Sequence, residues 1–247
     1  MFDHLKLSPL NRAHLFSLFF VLVMTTSTCH TQAPPTFAQA LQQHHVEITK
    51  AALIQALSNS DKEVRGLAAA ELAELKITAA LPDIIRAAQN ENDAMTQVNI
   101  AAAATWLGSD EGLQLLKRIC SNPTTSAYVR INAARNAFDK QDHACFPALA
   151  ELMKPSAALD ERISALSVAS QIRPRSEEET KVVLSSALSA LQDTEIRVRL
   201  QACEALRWMK DPRALLPLQK GIDIEREEVV RQQMQSTLSY LEKQAKP

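Results

Sequence analysis

Glycine is scarce in this chain, with four residues among 247, and aromatic side chains make up only 4% of it. A β-sandwich needs glycine-bearing turns and strands rich in β-branched and aromatic residues, so that class is disfavoured. Four scattered glycines cannot form a phosphate cradle, and the sequence has neither a nucleophile elbow nor an H-E-x-x-H run. Charge of one sign is lacking as well. A formal net charge of -1 gives no field that calls for nucleic acid or an anionic membrane. Histidine is sparse: His44 and His45 lie near Glu47, but adjacent side chains on a helix point apart, and His143 stands alone. No ligand set has the spacing of a metal site. These absences describe a protein with no catalytic residues of its own, no cofactor and no metal.

What is present is alanine and leucine, within a hydrophobic content of 46%. That balance suits helices, and the length is ample for a buried core. At the N-terminus, Lys6 and Arg12 precede the apolar run LFSLFFVLVM at 15–24, followed by TTST at 25–28. The run is too short to span a bilayer and has the layout of a secretory signal peptide over residues 1–28. Two processing routes stay open. TTSTCHTQ is similar to a bacterial lipoprotein box with Cys29 as the lipidated residue, although Thr26 and Thr28 depart from its usual residues. An ordinary cut between residues 27 and 33 is the other. Residues 29–46, including QAPPTFAQ, are expected to be a flexible tether and the start of the first helix, with the repeats filling 47–247.

The stretch DKEVRGLAAAELAEL at 61–75 recurs. With Val64 as position 0, the pattern restarts at Val98, Val129, Ile163, Val198 and Val230, every 31 to 35 residues. Position +4 is small in five of these six units, and position +8 is mostly apolar. A second amphipathic stretch precedes each anchor, such as AALPDIIRAA at 79–88 or ALLPLQKGI at 214–222, and turn formers separate the two. Each unit is therefore helix A, turn, helix B, and such a period indicates stacked elements rather than a closed globule. The small residues let neighbouring B helices approach closely.

At these residues the chain resembles the HEAT-repeat family, in the short bacterial form called phycobilisome-lyase-type HEAT-like repeats. The signature is a turn acid, then Val-Arg, then paired small residues, as at 61–69, 195–203 and 227–233. Prolines near the start of helix A, at Pro82, Pro147 and Pro217, also fit, although Pro217 is expected to fall deeper and kink its helix. The resemblance implies an all-α fold, an α-solenoid of about six antiparallel helix pairs, roughly 50–60 Å long at 8–10 Å per layer. It implies no lyase chemistry. It also implies a structural ladder in which Arg65, Arg130, Arg199 and Arg231, all at +1, bond turn acids such as Asp61, Asp193, Glu195 and Glu227. That reading is preferred over a phosphate-binding column, because no excess positive charge accompanies it. Asn99 and Ser164 interrupt the ladder. The polar last helix, with Gln232, Gln233, Gln235, Ser236 and Ser239, suits a soluble cap.

Three thiols follow Cys29. Cys120 closes one A helix and Cys145 opens the next; parallel A helices put those ends roughly 15 Å apart, so no disulfide is expected between them. Cys203 occupies the small-residue column and reads as packing.

The remaining candidate for function is a surface. With 0, +4 and +8 facing inward, +2, +6 and +9 point outward on helix B. Those positions hold Ile100, Ile131 and Leu200, then Arg135 and Glu204, then Leu107, Phe138, Ile172 and Arg207. A groove lined by Ile100, Leu107, Ile131, Arg135, Phe138, Leu200, Glu204 and Arg207 would receive a partner protein, unless the apolar members tuck beneath the adjacent repeat. Replacing Ile131 and Phe138 by Asp is expected to abolish binding without unfolding the stack. The sequence thus describes an exported, monomeric, periplasmic or lipid-anchored scaffold for another protein in a bacterial envelope. The alternative is an accessory subunit of an envelope enzyme encoded elsewhere.

Overall fold

A computed structural model describes residues 35–173 and 175–245. The signal peptide, Cys29 and the first part of the tether lie outside the described residues. Among the described residues are thirteen α-helices and no strand. A short α1 (Phe37–Gln43) precedes six helix pairs. The first helices of the pairs are α2 (Lys50–Ala56), α4 (Leu81–Asn90), α6 (Asp110–Ser121), α8 (Phe146–Leu152), α10 (Glu177–Ala190) and α12 (Leu215–Ile224). Their partners are α3 (Lys62–Glu74), α5 (Ala94–Trp106), α7 (Ala127–Phe138), α9 (Leu159–Gln171), α11 (Ile196–Met209) and α13 (Glu228–Ala245).

Within QAPPTFAQ, the stretch expected to be tether, residues 37–39 already belong to α1. Thr36 and Gln39 form a reciprocal capping box at the start of α1. Leu41 is fully buried, and α1 packs on α3 as an end cap. Side chains also cap α2 (Thr49), α3 (Asp61), α5 (Asp93), α6 (Ser109) and α10 (Ser176), each satisfying an otherwise orphaned N–H. Pro217 does not kink α12. A 3-10 turn over Pro212–Ala214 delays the helix to Leu215, which leaves Pro217 in the first turn, where its missing N–H has no intrahelical partner.

Successive second helices pack directly on one another, whereas successive first helices scarcely touch. The stack therefore curves with α3, α5, α7, α9, α11 and α13 on the inside. Alanine makes that close stacking feasible: Ala68, Ala69, Ala101, Ala104, Ala133, Ala134, Ala202 and Ala205 have no exposed surface. Gly112 goes further, since a Cβ there would lie 2.8 Å from the Ala101 carbonyl oxygen where α6 crosses α5.

One expectation fails outright. Cys120 and Cys145 form a disulfide, with Cα atoms 5.8 Å apart. The estimate of a helix length between them assumed first helices in full register. But α8 has only seven residues, and the loop at 139–145 carries its first turn alongside the last turn of α6. Lys117 and Asp142 pair across the same junction at 3.0 Å. Cys203 is a buried free thiol, and burial pushes its pKa up to about 12, as befits packing rather than reactivity.

Candidate functional site

The geometry of each inner helix is fixed by where it starts. Val64, Val129, Val198 and Val230 are each the third residue of their helix, but Val98 and Ile163 are the fifth. In α5 and α9 the third residue is Thr96 and Glu161. With those as position 0, the six units repeat every 32 or 33 residues with one interval of 37. Position +1 then becomes Arg65, Gln97, Arg130, Arg162, Arg199 and Arg231. Asn99 and Ser164 are not interruptions at all.

Each member of this column reaches back to a turn or along its own stack. Arg65 donates to the carbonyls of Asn59 and Ser60 and grips Glu91 with Nε and Nη2, at 2.6 and 2.8 Å. Arg199 repeats the pattern in the fifth unit, donating to the Asp193 and Thr194 carbonyls and to both oxygens of Glu225. Gln97 donates to the Ala88 carbonyl, Arg130 to the Cys120 carbonyl, and Arg162 pairs with Asp193. In the sixth unit Arg231 bonds the Glu225 carbonyl and Glu228 of its own helix. These bonds tie consecutive turns together; of the acids the sequence suggested, Asp193 takes part, pairing with Arg162, and the other three do not. Asp61 caps α3 instead, and Glu195 and Glu227 form no ion pair. The true acceptors Glu91 and Glu225 follow their arginines by 26 residues; that recurrence was the signal for them. Arg65 holds Glu91 below the ordinary carboxylate range. Burial would push Glu225 up, but the Arg199 bonds and the Glu227 backbone N–H outweigh it and leave its pKa lowered.

The exposed surface differs from the one the sequence suggests. Ile100 is fully buried, Ile131 is 3% exposed and Phe138 8%, so the predicted groove loses its apolar floor to the core. These side chains tuck beneath the adjacent repeat, as does Ile172. Leu107, Arg135, Leu200, Glu204 and Arg207 stay half-buried on the surface. The face that does reach solvent is formed by positions +3, +6 and +10. Position +3 is Leu67, Asn99, Asn132, Ser164, Gln201 and Gln233, rich in amides. Position +6 is Ala70, Ala102, Arg135, Ser167, Glu204 and Ser236. Position +10 carries Trp106 and Trp208, 44% and 52% exposed, and the half-buried Tyr240. Lys140 lies 5.6 Å from the Trp106 ring centre, and the Arg207 guanidinium sits 4.4 Å over Tyr240.

The side chains of Asn99 and Gln201 make no hydrogen bond to any of the described residues. Asn132 donates to the Tyr128 carbonyl, and Gln233 to Glu204. An amide offers both donors and an acceptor, so the +3 column presents uncommitted groups of both kinds along the inner wall. Elsewhere, clefts of about 210 and 190 Å³ open between the splayed outer helices, α4 against α6 and α10 against α12. Among the described residues no three His, Cys, Asp or Glu side chains gather as a metal site. His143 is engaged with Glu179 at 2.8 Å and edge-on to Phe138.

A family model described as HEAT repeats matches residues 50–137 and 146–239, and the chain belongs to that family. Comparison with curated proteins gives no match. Among solved structures it is similar to an engineered protein, at 19% identity and a TM-score of 0.49 over 77% of this chain and 95% of that one. A designed armadillo repeat protein matches at 15% identity and TM-score 0.47, over 76% and 98%. The complex of CpcE and CpcF of phycocyanin lyase from Nostoc sp. PCC7120 matches at 16% and 0.41, over 88% and 100%. At these identities the likeness is one of fold. The chain is thus a HEAT-repeat solenoid, a repeat scaffold of the kind suited to protein interaction.

Proposed function

We propose that this solenoid is a non-catalytic scaffold of the bacterial cell envelope that holds a partner protein along its inner wall. The observation that carries the reading is the pair of columns at +3 and +10. They set uncommitted amides beside exposed tryptophans on a surface the fold does not itself use. Exposed aromatics with adaptable polar neighbours are the usual makings of a protein contact. Export is supported by the N-terminal layout of Lys6, Arg12 and the apolar run, and by the Cys120–Cys145 bond, since disulfides persist in oxidising compartments.

The test is affinity capture from an envelope extract, comparing the unaltered chain with a Gln201→Arg/Trp208→Ala variant. Both residues lie on the surface, so the variant should melt within about 0.5 kcal/mol of the parent. A protein retained by the parent and lost from the variant supports the scaffold reading. Identical captures from both would move the interaction off this face. Recovery of the chain from cytosol with both cysteines reduced would overturn the envelope assignment.

A further inference from the structure

Among the described residues, the inner wall carries a cation that the fold leaves unanswered. Every arginine of the +1 ladder is bonded, and Arg213 is held by Asp211 and Glu177. The Arg135 side chain makes no hydrogen bond and no ion pair with any of the described residues, although it is half-buried at the middle of the stack. Asp139, one turn further along α7, does not pair with it. Burial, with neighbouring Asp139 and Tyr128 opposing, pushes the Arg135 guanidinium below its ordinary pKa. A partly desolvated charge with no partner is costly to keep. Its neighbours in the +6 column are Ala102 and Ser167, both too small to cover it. Tyr128, 60% exposed, and Asn132 stand on the same face of α7, while Asn99 and Trp106 stand on the face of α5 beside it.

Resting on the scaffold reading, we propose that Arg135 anchors a carboxylate borne by an extended peptide segment of the partner, laid along the amide column of the inner wall. The sign of the charge selects an acid. A single guanidinium matches one carboxylate in bidentate fashion, whereas phosphopeptides and nucleic acids are taken by clusters of cations. The amides select an extended chain over a helix. A helical ligand has already satisfied its own backbone groups, so it would leave Asn99, Asn132 and Gln201 unused. An extended segment brings free N–H and C=O groups that those side chains can both accept from and donate to.

The experiment selects dodecapeptides from a random display library against the full-length chain. Binders are then remeasured by fluorescence anisotropy with Arg135→Leu and Arg135→Glu. The expected result is a shared Asp or Glu among the binders and about tenfold weaker binding to Arg135→Leu. Replacing the peptide's acid by Lys should restore affinity for Arg135→Glu. Peptides that tolerate proline beside the acid support the extended geometry. Peptides bound only as helices overturn it. Binders without a shared acid, or indifferent to Arg135→Leu, overturn the anchor. If those same binders are lost with Gln201→Arg/Trp208→Ala, the scaffold face itself survives. Binders indifferent to every inner-wall substitution overturn both. Circular dichroism melts of each variant separate lost binding from lost folding.

Discussion

Arg199 and Glu225 show at the level of single residues what holds consecutive units in register. Their side chains are 11% and 7% exposed, and two parallel N–H···O contacts join them. Removing one charge of such a pair strands the other. Glu225→Gln should lower unfolding free energy by about 3 kcal/mol in urea titration, while Glu228→Gln, at an exposed end pair, should leave it nearly unchanged. Acid should act through the same carboxylates. Asp93, bonded by Lys62 and by the Thr96 backbone N–H, is lowered to about 2, and Glu91 and Glu225 are lowered as well. Groups with depressed folded-state pKa values contribute stability above their unfolded pKa, near 4. That contribution is lost as pH falls from about 5 toward 2. Melting temperature should drop across this window, and Asp93→Asn should flatten part of the drop. The ladder was legible where an aliphatic residue precedes Arg, but not at Arg162. There the preceding residue is Glu161, and the eye slips to Ile163. Capping by Asp93 was the cue that would have set α5 correctly, because the anchor is the third residue after a cap.

At the level of helices, packing distance decides more than hydrophobicity. Gly112 sits where α6 crosses α5, and a methyl group would also meet the Thr105 hydroxyl at 2.8 Å and Ala104 Cβ at 2.9 Å. Gly112→Ala should therefore destabilise by about 1–3 kcal/mol despite its better helix propensity, as read by thermal melts. Ile131→Asp, chosen from the sequence as a harmless surface change, buries an unpaired charge beneath the next repeat. It should cost several kcal/mol and show as lost helicity at moderate urea. The period, the pairing of helices and the small-residue seam were all visible in the sequence. The solvent-facing side was not: in α5 and α9 a two-residue error in helix start rotates the helix by about 200°, and in α7, whose start was read correctly, Ile131 and Phe138 tuck beneath the adjacent repeat. The disulfide was hidden for a related reason, in that the shortness of α8 is not written in the amphipathic pattern of 145–153.

For the molecule as a whole, stability is a sum over neighbouring units, so opening can begin at either end and travel inward. The staple between Cys120 and Cys145 closes a chain segment with a sequence separation of 25 at the middle of the stack. Cys120→Ser/Cys145→Ser should reduce stability by about 3 kcal/mol, measured by urea unfolding under non-reducing conditions. The parent should match the variant once dithiothreitol is added. The bond has a second effect that follows from where it lies. It joins two outer helices, α6 and α8, on the side where the other layers barely meet. Any flexing that opens and shuts those outer gaps is therefore tied down at this layer, and the stapled middle would serve as a vertebra between two arms. Arg135 lies on α7, between the two outer helices that the staple links.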